Sequence, residues 1–285
     1  DIIFELEHRL GTPQMVELAK QLLGEYDLGQ NDQQLWALVS RVFHDHIDLS
    51  DRTWKQLQQS TLANEFINSM VMEYFPGENV VKYHFIRNIL NQQDVVCFFE
   101  RNANSNRADL CLINGHSFAY EIKTEIDALD RLTRQIASYS TQFEYVYAIL
   151  DVSHISKATN LIPEHCGIIE YQLDKGVCKF NYTRKATPSP NLDHLAQVHN
   201  LSSVDLQKIL QWTNEDIPKA KRKRTELMLK TLSPAEINHY FKRVLWEKYN
   251  EQWSFLKANF DQIYPIDIQA FFRQPIAPEI VYFRA

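Results

Sequence analysis

Apolar positions recur three and four residues apart through residues 1–75, the pattern of amphipathic helices. Pro13–Leu23 has that spacing, with Thr12 as its expected N-cap, Pro13 in its first turn and Gly24 ending it or loosening its last turn. Gln33–His46 follows, with Leu35, Trp36, Leu38, Val39, Val42 and Phe43 inward. Asp51–Ser60 and Leu62–Tyr74 read as two more helices, the second with Phe66, Ile67, Met70 and Tyr74 inside. Pro76-Gly77 breaks the pattern, and Glu78–Asn91 resumes it.

The period then changes. Asp94–Arg101 contains the apolar run Val95–Phe99, which suits a strand covered on both faces. Residues 102–106 are a polar loop, and Leu110–Ile113 is apolar again. Phe118, Tyr120 and Ile122 alternate with Ser117, Ala119, Glu121 and Lys123, as in a half-buried strand. Asn114-Gly115 between these two stretches is a hairpin signal. Asp127 is expected to cap a helix that buries Leu129, Leu132 and Ile136 and turns Arg131, Arg134, Gln135 and Tyr139 to its other face. Glu144–Leu150 is the next strand, so a right-handed parallel crossover is expected. Ser153–Leu161 reads as a short helix, and Gly167–Gln172 and Val177–Tyr182 as strands around the turn Asp174-Lys175-Gly176. Thr187–Pro190 is a linker, and helical spacing returns from Leu227 to Tyr249.

The length of the first hairpin loop decides what this region can do. With a two-residue loop, Asp109 sits opposite Tyr120. With a three-residue loop, Ile113 pairs with Ser117, Asp109 falls opposite Glu121, and Lys123 shares their face. The longer loop is expected, because a one-residue slip would take Asp109 to the other side of the sheet. Two neighbouring carboxylates repel unless a cation joins them. Mg²⁺ prefers such oxygens, and Lys123 could orient a water or stabilise charge on a phosphate.

Asp109, then Glu121-Ile122-Lys123 on the second strand of a hairpin, resembles the PD-(D/E)XK nuclease superfamily. Gln135-x-x-x-Tyr139 on the following helix is similar to the helix motif of its RecB-type and lambda-exonuclease-type members. Ala108 stands before Asp109, where the superfamily's name has Pro. The resemblance covers residues 76–186 and implies a restriction-endonuclease-like α/β core, a central mixed β-sheet flanked by helices. Helical regions at 1–75 and 191–285 would flank it. The resemblance implies metal-dependent hydrolysis of phosphodiester bonds in DNA. Asp109, Glu121 and the Ile122 carbonyl would hold Mg²⁺ or Mn²⁺, Lys123 would position water, and Gln135 and Tyr139 would orient substrate or the lysine. Glu78 is the candidate for the further acid that many members carry on the preceding helix, and Glu100 is a candidate supporting group or extra ligand. Such cores are associated with genome defence, including phage defence, and with mobile-element biology.

Arg107 and Arg131 are candidate contacts to the nucleic acid, as is the basic run Lys221, Arg222, Lys223 and Arg224. DNA is the expected partner and RNA the alternative substrate. A second copy of the chain or a protein activator is left open. Two rival readings use the same fold without chemistry: a nucleic-acid-binding module that cuts nothing, and a protein-interaction factor.

The 285 residues are 45% hydrophobic and 12% aromatic, an ordinary globular balance. No apolar run nears the roughly 20 residues of a membrane span, and Asp1–Glu5 lacks a basic n-region, so neither a membrane segment nor a signal peptide is expected. A net charge of −6 argues against a broadly basic nucleic-acid coat. Cys97, Cys111, Cys166 and Cys178 form no Cys-x-x-Cys pair and are expected as buried thiols in a reducing cytoplasm, not as a zinc site. His44, Asp45, His46 and Asp48 lie at a helix end where i,i+2 residues do not share a face, so no metal site is expected there.

Overall fold

The structure, a computed structural model, describes residues 2–44, 46–47, 51–75, 77–174, 177–213 and 216–283. Six helices come first: α1 (Ile2–Leu10), α2 (Thr12–Glu25), α3 (Asp32–His44), α4 (Asp51–Ser60), α5 (Ala63–Tyr74) and α6 (Glu78–Ile89). Then come strands β1 (Val96–Ala103), β2 (Asn106–Ile113) and β3 (Ser117–Lys123), helix α7 (Leu132–Ser140), strand β4 (Tyr145–Asp151) and a short helix α8 (Ile155–Ala158). Strands β5 (Gly167–Asp174) and β6 (Val177–Arg184) precede α9 (His194–His199), α10 (Ser203–Trp212), α11 (Lys221–Thr231), α12 (Pro234–Asn259), α13 (Ile268–Arg273) and α14 (Pro278–Val281). No helix among the described residues is long and apolar enough to cross a membrane.

The chain is mixed α/β and forms two compact units, one of residues 1–87, 173–177 and 254–285, the other of residues 88–172 and 178–253. The expected third region, 191–285, is thus divided at Ser254. The physical reason lies in the helical unit's core, where Ile266 joins Leu18, Leu22, Phe66 and Met70. Trp36 packs on Phe66 and Phe43 meets Trp54 edge-on, with centroids 5.6 and 6.4 Å apart. Gly11, at φ 80°, is the N-cap of α2. Thr12 does not cap it, because its hydroxyl donates to Glu7 Oε1 (2.8 Å). The helix continues through Gly24 to Glu25. Asn31 and Gln34 bond reciprocally, each amide oxygen on the other's main-chain N–H at 2.9 Å, and so start α3.

The second unit carries a six-stranded sheet in the order β1-β2-β3-β4-β5-β6. β1, β2 and β3 pair antiparallel, whereas β3, β4 and β5 run parallel, with α7 in the crossover between β3 and β4. Residues 102–106 are not an open loop. Ala103 pairs with Asn106 and Asn102 with Arg107, leaving a two-residue turn in which Asn104 takes φ 54°. The expected cap of α7 is also displaced. Asp127 Oδ2 accepts from Thr124 N–H and hydroxyl (both 2.7 Å), closing a turn before the helix, and Arg131 stands at the N-cap position. Of the turn expected between β5 and β6, Lys175 and Gly176 lie outside the described residues, as do Pro76, Asp45 and Asp48. All four cysteines are free, three of them buried and Cys178 half-buried.

α12 covers part of the sheet, with Tyr249 stacked on Phe98 of β1 at 4.3 Å. One sheet face bears an aromatic row, Phe118, Tyr120, Tyr145 and Tyr147, whose neighbouring rings lie 5.1 to 6.4 Å apart. Tyr147 pairs across strands with Gly167. A Cβ on Gly167 would collide with the Tyr147 ring and come within 2.8 Å of Ala186 N, so the ring lies where a side chain would be. Gly167→Ala is therefore expected to cost about 1–3 kcal/mol through overpacking, measured by urea unfolding. Unchanged stability would contradict this packing.

Candidate active site

The β2–β3 hairpin turns through Asn114–His116, with Ile113 opposite Ser117 and Leu110 opposite Tyr120. The next pair in that register is Asp109 with Glu121. Asp109 Oδ2 accepts from Ile122 N–H (2.7 Å), which ties the carboxylate to the second strand. Glu144 secures the turn end of the hairpin. It accepts from Ser117 N–H (2.7 Å), Asn238 Nδ2 (2.9 Å) and Lys242 Nζ (3.0 Å), and Lys242 also donates to the Gly115 carbonyl (2.8 Å). Burial pushes the Glu144 carboxyl up, but the bonds from Lys242, Asn238 and Ser117 outweigh it and hold the group below its ordinary range.

Glu121 is 1% exposed and Lys123 6%, so this acid and this ammonium are both withdrawn from water. Lys123 Nζ donates to Glu121 Oε1 (2.8 Å). The Tyr139 hydroxyl reaches from α7 to Glu121 Oε2 (2.6 Å), and the Arg107 carbonyl oxygen lies 2.8 Å from the same hydroxyl. One phenolic proton thus serves two acceptors. Burial, then the charge of Glu121, raises the Tyr139 phenol above its usual value and keeps that proton in place. Gln135 stands one turn before Tyr139, and its buried Oε1 has no hydrogen-bond partner among the described residues. Tyr139 is not on an open face: it is buried with Leu132 and Ile136 because its hydroxyl is spent on Glu121.

On the other side of Asp109, β1 brings Glu100. Pairs on both sides of it keep one register, Phe99 with Leu110 and Arg101 with Ala108, so Glu100 stands opposite Asp109. Carboxylate oxygens of the two lie within 4.8 Å of one another. Glu100 has φ 55°, a conformation that costs a side-chain-bearing residue about 1–3 kcal/mol. Arg107 forms an ion pair with it. Glu100, Asp109 and Glu121 therefore make a row of acids across three adjacent strands, with Lys123 beside it. A left-handed Glu within an apolar strand has no sequence signature, so the chain text gives no warning of that conformation.

Glu78 opens α6 in the helical unit and is ion-paired with the buried Lys82, whose Nζ also donates to Gln269 Oε1 (3.1 Å). Arg131 and Arg134 are exposed at the start of α7, and Lys221, Arg222 and Lys223 are exposed in the first turn of α11. Arg222 pairs with Glu226 at 2.8 Å. Arg224 is spent on structure, donating to the carbonyls of Pro218 (2.6 Å) and Ser203 (2.7 Å) and so joining α11 to α10.

Leaving one member of a buried ion pair alone is costly, about 3–5 kcal/mol. Lys123→Met is accordingly expected to destabilise by that amount, and Lys123→Met with Glu121→Gln by clearly less, in chemical unfolding. Equal losses in the single and double variants would show the pair to be uncoupled.

Protein cII of Enterobacteria phage P4 is 27% identical over 106 residues, which is 37% of this chain and 40% of that relative. The match thus spans less than half the length of the relative. No solved structure matches. The family model described as bacteriophage P4 protein cII matches residues 66–271, more than half of the chain and including every strand and the whole row of acids. The chain belongs to the bacteriophage P4 protein cII family.

Proposed function

We propose that this protein is a divalent-metal-dependent nuclease that hydrolyses phosphodiester bonds in DNA, built on a restriction-endonuclease-like core. The observation that carries the reading is the convergence of Asp109, Glu121 and Lys123 at one place on the sheet, with Tyr139 bonded to Glu121. The arrangement strand-Asp, strand-Glu-x-Lys and Gln-x-x-x-Tyr helix supports the same reading. So does the bacteriophage source of the relative, since phages are mobile elements.

The donor set fits a hard cation. It consists of carboxylate oxygens and a main-chain carbonyl, without sulfur or imidazole, and the Asp109–Glu100 pair places two acids side by side. Asp109 and Glu121, with the Ile122 carbonyl, would hold Mg²⁺ or Mn²⁺. The chemistry such an ion supplies is polarisation of a phosphate oxygen and a lowered pKa for bound water. The side chains do the rest. Ile122 N–H fixes one oxygen of Asp109 and so orients the carboxylate. Tyr139 fixes Glu121 and orients its second oxygen. Lys123, held on Glu121 Oε1, orients the attacking water and stabilises negative charge on the phosphate. Gln135 Oε1 offers an acceptor to a donor entering the site. Arg131, exposed at the N-cap of α7, would meet the nucleic-acid backbone with the exposed Lys221–Lys223 turn.

A second reading has one observation in its favour. Arg107 neutralises Glu100 and Lys123 neutralises Glu121, so the row could serve as a set of structural ion pairs in a domain that holds nucleic acid and cuts nothing.

Incubation of the wild-type chain with plasmid, linear duplex and single-stranded DNA, and with RNA, under Mg²⁺, Mn²⁺ or EDTA separates the two readings. Metal-dependent cutting of DNA is expected, with a loss of at least about a hundredfold in Asp109→Asn and Lys123→Ala when both melt as folded proteins. Binding without cutting under every metal would favour the second reading, and cutting of RNA alone would reassign the substrate.

A further inference from the structure

The helical unit contains a cavity of about 610 Å³ that nucleic-acid chemistry does not use. It is within the range of small-molecule sites. Asp267, 1% exposed, lines it. Tyr282 and Tyr26 donate their hydroxyl protons to Asp267 Oδ2, at 2.7 and 3.0 Å. Asn64 Nδ2 donates to the Tyr26 oxygen (3.0 Å), so the Tyr26 proton is committed to Asp267. Both hydroxyls end on the same carboxylate oxygen. Oδ1 has no hydrogen-bond partner among the described residues. Burial lifts this carboxyl from 3.8 to about 7 against the two tyrosine bonds, as for an acid that lacks a counter-charge.

The cavity's other walls include Leu23, Ile266, Phe271 and Ile276. Its other charged lining residues, Asp27 and Arg273, are exposed. Asn79, Gln269 and Gln274 add polar wall, but the buried charge-bearing acceptor is Asp267, and it selects the ligand. A guanidinium or a guanine edge presents two parallel N–H groups and needs both carboxylate oxygens. Here Oδ2 already accepts two protons. An ammonium is a compact point charge that needs one oxygen. We propose that this cavity binds a primary amine with an apolar body, its ammonium on Asp267 Oδ1 and its hydrocarbon against Leu23, Ile266, Phe271 and Ile276. The site is independent of the nuclease reading.

Calorimetric titration of the full chain with n-hexylammonium, n-hexanol and hexanoate tests it. Hexylammonium is expected to bind saturably and at least about tenfold tighter than hexanol, the worth of one charge-assisted bond, with hexanoate silent. Ala270→Phe, which fills the cavity from α13, is expected to abolish binding while melting like the wild type. Asp267→Asn is expected to remove the preference for the cation over the alcohol. Nα-acetyl-lysine amide separates the two sources of an ammonium: preference for hexylammonium assigns a free amine, and preference for the blocked lysine overturns that assignment. Hexanol binding as well as hexylammonium, or hexylammonium not binding the wild type, would overturn the site. If Asp267→Asn fails to fold, the wild-type comparison still decides.

Discussion

The register of β3 against β2 is the constraint on which the candidate site depends. Side chains alternate across a strand, so a slip of one residue would carry Glu121 and Lys123 to the face of Tyr120 and leave Asp109 with aromatic neighbours. The slip is opposed at both ends of the hairpin. At the turn, Glu144 and Lys242 bind the main chain of Ser117 and Gly115, fixing the three-residue loop to β4 and α12. At the open end, Asp109 holds Ile122 N–H, and Tyr139 joins Glu121 to the main chain of Arg107. The two clamps draw on residues far apart in sequence, so the register rests on the tertiary fold and not on Asn114-Gly115 alone.

That arrangement is expensive. Glu121 and Lys123 are both desolvated, and a buried ion pair is weak evidence for stability, since apolar residues of similar volume often serve as well. Glu100 adds a left-handed backbone in the middle of a strand. These local costs are concentrated in one place, on a sheet otherwise packed with Val, Ile, Phe and Tyr. On the proposed reading the charges are retained for what they do to a metal ion and a phosphate.

Much of this was legible in the chain. The period-2 alternation of Ser117–Lys123 and the parity of Asp109 gave the hairpin, its loop length and the partners of its acids, because register and face are local arithmetic. The Gln135–Tyr139 spacing gave one helix turn over the site, but not that Tyr139 would be buried. The linear text could not show pairings formed across long separations. Glu144 meets Lys242 and Asn238 across more than ninety residues, and Asp267 meets Tyr26 across most of the chain. Arg224 reads as part of a basic run, yet its guanidinium closes the α10–α11 corner. Helix starts shifted wherever a cap found a nearer partner, as Thr12 did in Glu7 and Asp127 in Thr124. The split at Ser254 was hidden because amphipathic spacing shows that a face is buried, but not against which neighbours.

On the proposed reading, Asp109 and Glu121 together hold a divalent cation. Calorimetric titration of Mg²⁺ and of Mn²⁺ into the wild-type chain and into Asp109→Asn, each checked for an intact melting transition, tests it without any substrate. Saturable binding to the wild type and its loss in the variant are expected. Equal binding by both proteins, or none by the wild type, would contradict it.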